Sequence, residues 1–441
     1  MMDNKFNSKQ IIEQNSGKKI YKLAKKIFPY HRSLTGRGNT LTLLELKKIF
    51  KDLKIKKIKS NTKVFDWKVP LEWNVKKAKI LETNGKVVID YKINNLHLVS
   101  YSEPVNKVIS LNELKKHLFY IKKMPSAIPY RTTYYNKNWG FCLSYKQFKT
   151  LNKKKYKIEI DSSFKKGSMY YAEILIKGGS KKEILLSTNI CHPSLANNEL
   201  SGPCVLIYIA KFIKKLLKRK FSYRIIFIPE TIGSIAYLSK NYKKIKKLFF
   251  AGFNCVCLGD EKNYSYLPSK NENSNSDFFA KKTLNFFNKN YKKYSWLERG
   301  SDERQYCAPG IDLNVASLMR SKYGTYKEYH TSLDNLKSFV TKKGLQGGYN
   351  LVKKAITAIE NDYYPKSKTI CEPFMTKKKL YPLFGGGKRK SRIIQFMNLI
   401  SYADGITPLS KIAKINKLGF KKCLEIFRYL EKKSLITFNF K

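Results

Sequence analysis

The sequence contains few acidic residues and no long apolar run. Only 32 aspartates and glutamates accompany 88 lysines and arginines, which gives a formal net charge of +56. No stretch of about 18 residues is continuously apolar, which excludes an ordinary transmembrane helix. The first residues, MMDNKFNSKQIIEQ, lack the apolar centre of a signal peptide. We therefore expect a cytoplasmic protein without a membrane span.

Arginine is scarce within this basic excess, since it occurs only eleven times. Phosphate and nucleic-acid sites favour clustered arginines, because a guanidinium group can bind a phosphate through two parallel hydrogen bonds. The lysines are instead spread along the chain beside abundant Asn, Ile, Tyr and Phe. This pattern indicates a genome-wide bias in amino-acid composition. Nucleic acid is therefore the less favoured partner, although so large a charge should attract anionic molecules in general.

Cysteine is present but is not arranged in pairs of functional spacing. None of the eight cysteines belongs to a Cys-x-x-Cys motif, which argues against the common zinc and redox spacings. Most of them lie in apolar segments, so we expect reduced, buried thiols.

The pattern of apolar residues changes along the chain. Its length of 441 residues suggests two or three domains. Apolar residues recur at helical spacing in 8–28 and 41–54. From 63 to 150 the runs are short and β-rich, and Asn84-Gly85 predicts a hairpin turn. The runs YKIEIDSSF and SMYYAEILIKGGS predict a second hairpin-like pair after this segment. We therefore predict an inserted β-rich domain over 63–150.

Strands and helices alternate from 181 to 360, and the last helix is expected from Asp334. Near-continuous apolar strands between amphipathic helices indicate an α/β fold, with a mixed sheet flanked by helices on both faces. We assign residues 1–62 and 151–383 to this domain. Residues 384–441 predict three short helices and a terminal strand, the outline of a winged-helix domain.

Four metal-binding side chains stand where the strands should end. His192 follows the first strand of the alternating region, Glu230 and Asp260 end the next two, and His330 precedes the final helix. Ligands collect beyond the carboxyl ends of such strands. Two imidazoles and two carboxylates suit zinc, and an open coordination position would activate a water molecule. Each of these residues taken singly also fits a structural role.

Five segments resemble a bacterial aminopeptidase-like family of unknown function. They are CHPSLANNELSGP, IPETIGSIAYL, CLGD, RGSDERQYCAPGIDL and EYHTSLDNL. The central domain of that family is similar to the co-catalytic zinc aminopeptidases and the glutaminyl cyclases. RSLTG, VPLEWNV and NNLHLVSYS resemble its inserted β-rich domain and the tail resembles its winged helix, so the resemblance covers nearly the whole chain. It implies a zinc aminopeptidase/phosphorylase-like fold.

The resemblance also implies roles for single residues. His192 matches the first metal-binding histidine, Asp260 the strand-end aspartate and His330 the last histidine. Asp302 matches the Ser-Asp turn that precedes that histidine. At the position of the peptidases' bridging aspartate this chain has Asn198, whose amide oxygen can bind one metal ion weakly but supplies no charge to hold two cations together. We therefore expect one zinc ion, with the second position weakly loaded or empty.

Glu230 stands where the peptidases have two successive glutamates, a general base followed by a metal ligand. One alignment makes Glu230 the base and leaves Thr231 at the ligand position, and the other makes Glu230 the ligand; we favour the base. Arg304 and Tyr306, together with Asp302, are expected to bind substrate, through its carboxylate or through the oxyanion. A surface arginine and a core tyrosine are the alternative.

Two functions follow from this pattern. The first is a metal-dependent hydrolase of the aminopeptidase type acting on a small amide or peptide-like substrate. The resemblance implies an association with surface-polysaccharide biosynthesis, and hence an amino-sugar or aminoacylated precursor. The alternative is a metal-depleted binding or regulatory protein that uses its winged helix for partner or nucleic-acid interaction. Asn198 favours the alternative, whereas the retained histidines and carboxylates favour the hydrolase.

The winged-helix segment FKKCLEIFRYLEKK has few base-reading side chains, so a packing or homo-oligomer module is favoured over a DNA reader. Its expected packing residues are Phe420, Cys423, Leu424, Phe427 and Leu430. The aromatic residues of the β-rich domain either overhang the site or form an ordinary core. They are Trp67, Trp73, Tyr130, Tyr134, Tyr135 and Trp139.

Overall fold

The computed structural model describes residues 15–133, 135–380 and 390–440. Tyr134 and the expected start of the C-terminal domain at residue 384 lie outside these ranges. Within them, no helix is both long and apolar enough to cross a membrane.

The strands in chain order are β1 (Lys54–Lys59), β2 (Lys63–Val64), β3 (Trp67–Lys68), β4 (Glu72–Glu82), β5 (Val87–Asp90), β6 (Val105–Ser110), β7 (Leu118–Phe119), β8 (Phe141–Cys142), β9 (Lys155–Lys165), β10 (Ser168–Ile176), β11 (Glu183–Asn189), β12 (Ser222–Ile228), β13 (Phe249–Asn254), β14 (Ser265–Leu267), β15 (Lys292–Lys293), β16 (Val315–Met319), β17 (Tyr364–Ser367) and β18 (Ile436–Asn439). The α-helices are α1 (Ser16–Ile27), α2 (Arg37–Ile49), α3 (Leu111–Lys115), α4 (Tyr145–Lys149), α5 (Ser201–Lys215), α6 (Ile232–Leu248), α7 (Asn275–Phe287), α8 (Glu303–Tyr306), α9 (Lys342–Glu360), α10 (Lys390–Ser401), α11 (Leu409–Ile415) and α12 (Phe420–Lys432).

The largest sheet has eight strands in the order β1-β10-β12-β11-β13-β16-β14-β15. The central strands β12, β11, β13 and β16 are parallel to one another. Strand β10 is antiparallel to β12, and β14 is antiparallel to β16. This is the mixed α/β sheet that the sequence predicts.

Helices pack on this sheet through two hydrophobic cores. The first core contains residues of α1, α2, α5, α7 and α9, and the second contains residues of α6 and extends into the small β-rich sheet. Helix α1 illustrates the cause, because Ile20, Leu23, Ala24 and Ile27 are buried and recur at helical spacing. The N-terminal helices thus pack on the α/β core.

The β-rich segment contains a four-stranded sheet in the order β5-β4-β9-β6. Strands β4 and β5 form the hairpin predicted from Asn84-Gly85, and Gly85 has a φ of 87°. The predicted pairing of β9 with β10 is wrong. Strand β9 pairs with β4 and β6, whereas β10 pairs with β1 and β12 in the large sheet. The small sheet therefore extends past residue 150, because the link Lys166-Gly167 carries the chain between the sheets.

The C-terminal segment has the predicted three helices and a strand, and β18 pairs with β17. Cys423, Phe427 and Leu430 are buried, whereas Phe420 is 42% exposed and Ile426 takes a core position. Elsewhere, the last helix of the α/β region begins at Lys342 and not at Asp334.

The eight cysteines are free, and seven of them are buried. The exception is Cys371, which is exposed. The expectation of buried thiols therefore holds for all but one position.

Candidate functional site

The site is built around the loop that leaves β11. Strand β11 is buried along its whole length, and a π-helical turn over Ala196–Leu200 then leads into α5. A Cβ atom at Gly202 would lie 2.1 Å from Thr188 Oγ1, so glycine is needed where α5 begins against the strand. This close approach fixes the loop at the carboxyl edge of the sheet.

His192 is held in one orientation by its neighbours. Its Nδ1 atom is hydrogen-bonded to the carboxylate of Glu199, and its carbonyl oxygen accepts a hydrogen bond from Arg32 Nε at 3.1 Å. Burial alone would lower the pKa of His192, but the charges of Glu199 and Glu230 raise it. A carboxylate on Nδ1 leaves Nε2 as the atom that can bind a metal.

Glu230 follows β12 and faces His192. Its Oε1 atom accepts hydrogen bonds from Asn189 Nδ2 at 3.0 Å and from Ser301 Oγ at 2.7 Å. Its Oε2 atom lies 3.8 Å from His192 Nε2. Burial raises the pKa of Glu230, and the charge of His192 opposes this rise. A carboxylate with one anchored oxygen and a raised pKa suits proton transfer.

His330 lies opposite, with a left-handed φ of 54°. Its ring centroid is 5.2 Å from that of His192, so the two side chains converge as the strand ends predict. His330 Nε2 accepts a hydrogen bond from Asn198 Nδ2 at 3.2 Å. Burial and the neighbouring His192 lower the pKa of His330 to about 3, which keeps its ring neutral. A neutral imidazole has the lone pair that a metal requires.

Asp260 does not have the free carboxylate expected of a metal ligand. Its Oδ1 atom accepts hydrogen bonds from Lys262 N and Ser321 Oγ, and its Oδ2 atom accepts from Asn197 Nδ2 and Ser321 N, at 2.7 to 3.0 Å. A carboxylate has about four lone-pair sites, so these four donors occupy them all. In this structure Asp260 therefore holds the loops together, and the metal-binding role implied by the resemblance stays a prediction.

Asp260 does not end β13, in contrast to the position expected from the sequence. The strand ends at Asn254, and five residues separate it from Asp260, with Cys257 in a left-handed conformation at φ 52°. Cys257, and not Asp260, approaches Asn198, with its Sγ atom 3.9 Å from Oδ1. A strand end read from the sequence does not show how far the following loop carries a side chain.

The three expected substrate-binding residues have different environments. Asp302 is fully buried, and its Oδ1 atom accepts hydrogen bonds from Thr231 N and Ser234 Oγ, both at 2.8 Å. Tyr306 is also fully buried, and its hydroxyl group pairs with Ser187 Oγ at 2.7 Å. Both are therefore buried residues that support the Glu230 loop and β11, Asp302 Oδ2 has no hydrogen-bond partner, and a substrate-binding role for either residue stays a prediction.

Arg304 alone of this group lies at the surface. Its Nη2 atom donates a hydrogen bond to Thr231 Oγ1 at 2.7 Å, in the residue that follows Glu230. Its positive charge lowers the pKa of Glu230 against the effect of burial. Arg304 can therefore meet a substrate at the rim of the site.

Two supporting residues were missed in the sequence. Asp334 accepts hydrogen bonds from the backbone N–H groups of Asn197 at 2.6 Å and Asn198 at 2.9 Å, and so fixes the turn that carries the amide. Arg32, from the segment RSLTG, is fully buried beside His192. The spacing of EYHTSLDNL contains Asp334 but does not indicate its partner, because that contact joins residues more than a hundred positions apart.

A second group of potential ligands lies behind His192. Atoms of Cys191, His192 and Glu199 lie within 4.8 Å of one another. Burial and the charges of Glu199 and Glu230 raise the pKa of Cys191, so the sulfur stays a protonated thiol. This group orients His192 and is a poor cation site.

The donor set in front of the two histidines fits one divalent metal ion. His192 Nε2, His330 Nε2, Glu230 Oε2 and the Asn198 amide are ligand types that zinc accepts. The carboxylate on His192 Nδ1 is typical of metal-binding histidines, and a metal ion on His330 Nε2 would replace the hydrogen bond from Asn198 Nδ2. A second ion is less well served in the described part of the chain, because Asp260 is saturated and Asn198 is neutral.

Comparisons with known proteins agree with this architecture. Residues 21–362 match the family model described as a domain of unknown function (DUF4910), and residues 362–438 match a winged helix-turn-helix model. A protein of Clostridium acetobutylicum, named as a polysaccharide biosynthesis protein with an aminopeptidase-like domain, is 44% identical over 415 residues, 93% of this chain and 94% of that protein. The chain belongs to the DUF4910 family.

Solved structures place this DUF4910 member among the zinc aminopeptidase folds. A crystal structure of a candidate peptidase from Clostridium acetobutylicum superposes with a TM-score of 0.82 and 39% identity, over 98% of both chains. A zinc aminopeptidase of Bacillus subtilis superposes with a TM-score of 0.58 and 14% identity, over 78% of this chain and 94% of that one. The second likeness shows the fold alone.

Proposed function

We propose that this DUF4910 member is a metal-dependent hydrolase of the aminopeptidase type that acts on a small amide or peptide-like substrate. The observation that carries the proposal is the convergence of His192, His330 and Glu230, with ring centroids 5.2 Å apart and Glu230 Oε2 3.8 Å from His192 Nε2. A purely structural histidine pair would not need a carboxylate on the inner nitrogen and a second carboxylate facing the outer one.

One zinc ion would be held by His192 and His330, with the Asn198 amide and Glu230 beside it. Bound there, the ion would polarise an amide carbonyl and acidify a water molecule. We propose a single ion because Asn198 offers no negative charge to a second one. Glu199 contributes by keeping the His192 ring in one tautomer.

Glu230 is the group we propose as general base. Asn189 and Ser301 hold Oε1, so Oε2 stays directed to the space in front of the histidines. There it can take a proton from the attacking water and return it to the leaving amine. If Glu230 instead binds the metal, the chain has another base or little activity, and the experiments below separate these cases.

Arg304 is the proposed substrate contact at the rim. Its guanidinium group is exposed and anchored on Thr231, so it can donate to a carboxylate or to a developing oxyanion. The name of the Clostridium acetobutylicum relative supports a place in polysaccharide biosynthesis. We propose an amino-sugar or aminoacylated precursor as substrate and a cytoplasmic location.

A binding or regulatory protein on the same fold is the second candidate. Asn198 favours it, because the amide removes the charge that two-metal enzymes place between their ions. The winged helix would then serve as the contact with a partner, with a second copy of the chain or, less favoured, with nucleic acid.

Metal content and hydrolysis measured side by side test the proposal. Protein purified without added zinc should contain about one metal ion per chain, because zinc sites in proteins usually have four ligands of these types. His192→Ala and His330→Ala should lose the metal and the hydrolysis of aminoacyl anilides. His117→Ala is the matched control. His117 is not one of the site residues, and its ring stacks on Trp139 with the ring centroids 3.7 Å apart. A wild-type chain that binds no zinc and hydrolyses no aminoacyl amide would leave the binding protein as the better account.

A further inference from the structure

A cavity of about 460 Å³ lies in the β-rich domain, next to the candidate site. It is bordered by α3, β7, the segment 129–131 and Phe148 of α4. Its size falls within the range of clefts that hold small organic ligands. The metal-binding residues and the rim arginine do not line it.

Tyr130 connects this cavity to the two histidines. It lines the cavity, and its ring stands edge-on to His192 at 4.9 Å and to His330 at 5.1 Å between centroids. Its backbone N–H donates to the carbonyl oxygen of His330 at 2.8 Å, and Pro129 forms a β-bridge with Thr331. The cavity wall and the His330 loop are therefore one continuous piece of structure.

The lining has a definite chemistry. The guanidinium carbon of Arg131 lies 3.9 Å from the centroid of Phe119, so the planar group is supported by an aromatic face. Lys115 is a second exposed cation, and Tyr120 and Phe148 add aromatic surface. None of the described residues that line the cavity carries a carboxylate. A stacked arginine is suited to bidentate binding of a carboxylate or phosphate.

We propose that this cavity is a substrate subsite that binds an acid-bearing ring, a sugar carrying a carboxylate or a phosphate. The aromatic walls take the face of the ring, and Arg131 and Lys115 bind the acid. The bond to be cleaved then lies on the far side of Tyr130, beside the histidines. That the bound molecule is a substrate rests on the proposed hydrolase function. Binding in the cavity does not, because binding needs no turnover.

Such a subsite would supply binding energy far from the reacting bond. An enzyme can use contacts with a non-reacting part of the substrate to orient the bond that reacts. The β-rich domain then limits the substrate to molecules with an acidic ring at a fixed distance from the amide.

Calorimetric titration of the full-length chain tests the proposal with four probes: glucose 1-phosphate, galacturonic acid, glucose and inorganic phosphate. We expect at least one acidic sugar to bind, and glucose to bind at least about tenfold more weakly. The tighter of the two acids identifies whether the natural acid is a phosphate or a carboxylate. Inorganic phosphate should also bind more weakly than the sugar phosphate, because it lacks the ring.

The variant Arg131→Gln should weaken binding of the acidic sugar by about tenfold or more. Arg392→Gln is the matched control, since Arg392 lies over Phe396 at 5.6 Å in the C-terminal helices, and it should change binding by less than about twofold. Thermal melting checks that both exposed substitutions leave the fold intact. No binding by either acid, equal binding of glucose, or no effect of Arg131→Gln would overturn the subsite.

The two proposals fail separately. A chain that binds an acidic sugar through Arg131 but hydrolyses no amide contradicts the hydrolase and leaves the cavity assignment standing. A chain that hydrolyses aminoacyl amides but fails the titration contradicts the cavity assignment alone.

Discussion

Two clusters of buried carboxylates in this chain are satisfied in different ways. In the paired cluster, Arg224 donates to both carboxylate oxygens of Glu183 at 2.6 and 2.8 Å. Glu173 accepts hydrogen bonds from Arg224, Lys56 and Tyr237. Burial alone would raise the pKa of Glu173, but these partners lower it. Each charge in this cluster has an opposite charge in contact.

In the site cluster of His192, Glu199 and Glu230, some of the polar atoms have no partner in hydrogen-bonding distance within the cluster. Glu199 is hydrogen-bonded to His192 and accepts from the backbone N–H of Cys191, but Glu230 Oε2 and His192 Nε2 face each other 3.8 Å apart, too far for a hydrogen bond. Burial raises the pKa of Glu230, the opposite direction from Glu173. Perturbed groups with unfilled binding capacity at the edge of a sheet are typical of functional sites, whereas fully paired acids are typical of structural ones.

The largest expected effect is the loss of hydrolysis when the site cluster, and not the paired cluster, is changed. Glu230→Gln should lower hydrolysis by about 10²- to 10⁴-fold, because the amide cannot take a proton from water. Glu173→Gln should leave the rate nearly unchanged and should lower the free energy of unfolding by about 1.5–3 kcal/mol, because it weakens charged hydrogen bonds. Turnover of an aminoacyl anilide and denaturant unfolding measure the two effects. Equal losses of activity in both variants would show that Glu230 has no special role.

The next effect concerns the carboxylate behind His192. Glu199→Gln should lower zinc affinity by about 10- to 100-fold, because a neutral partner on Nδ1 makes the ring a weaker ligand. Glu183→Gln, in the paired cluster, is the control and should not change zinc affinity. Competition with a zinc chelator measures both. Unchanged affinity in Glu199→Gln would place the metal away from His192.

Asn198→Asp should raise the bound metal from about one toward two ions per chain, because it adds a negative charge beside His330. It should raise the hydrolysis rate as well if Glu230 is the base, and raise metal content alone if Glu230 is a ligand. Elemental analysis and the anilide assay distinguish these results.

Asn197→Asp is the matched control for this change. The Asn197 amide donates to Asp260 Oδ2 at 3.0 Å and accepts from Gly259 N at 2.7 Å, so a carboxylate there would repel Asp260 and gain no metal. If Asn198→Asp holds no more metal than the wild type, Asn198 does not face a metal position.

The smallest effect is expected at the rim. Arg304→Gln should raise KM for substrates with a free carboxylate by about 2- to 10-fold, because it removes one charge-assisted hydrogen bond. Arg299→Gln, an exposed arginine over the Trp296 ring, should leave KM unchanged. The same KM increase for a substrate without a carboxylate would indicate a role in holding the Glu230 loop instead.

Much of the fold was predictable because it depends on local patterns. Alternating apolar strands and amphipathic helices indicated the mixed α/β sheet, and Asn84-Gly85 indicated a hairpin that formed. The partners of β9 and β10 were not predictable, because both are good strands and only the packing of two separate sheets decides which edge each one joins. Tyr130 illustrates the same limit, since its sequence position gave no reason to prefer an overhanging role over a core role.

The sequence by itself determined that His192 and Glu230 stand near the carboxyl edge of the sheet, because the ends of β11 and β12 follow from periodicity. Only the tertiary structure decided what each group is free to do. It fills the lone pairs of Asp260 with four hydrogen bonds, buries Asp302 and Tyr306, and leaves Glu230 Oε2 facing His192. The reason is that the binding capacity of a polar side chain depends on donors and acceptors brought from distant parts of the chain, which periodicity along the chain does not record.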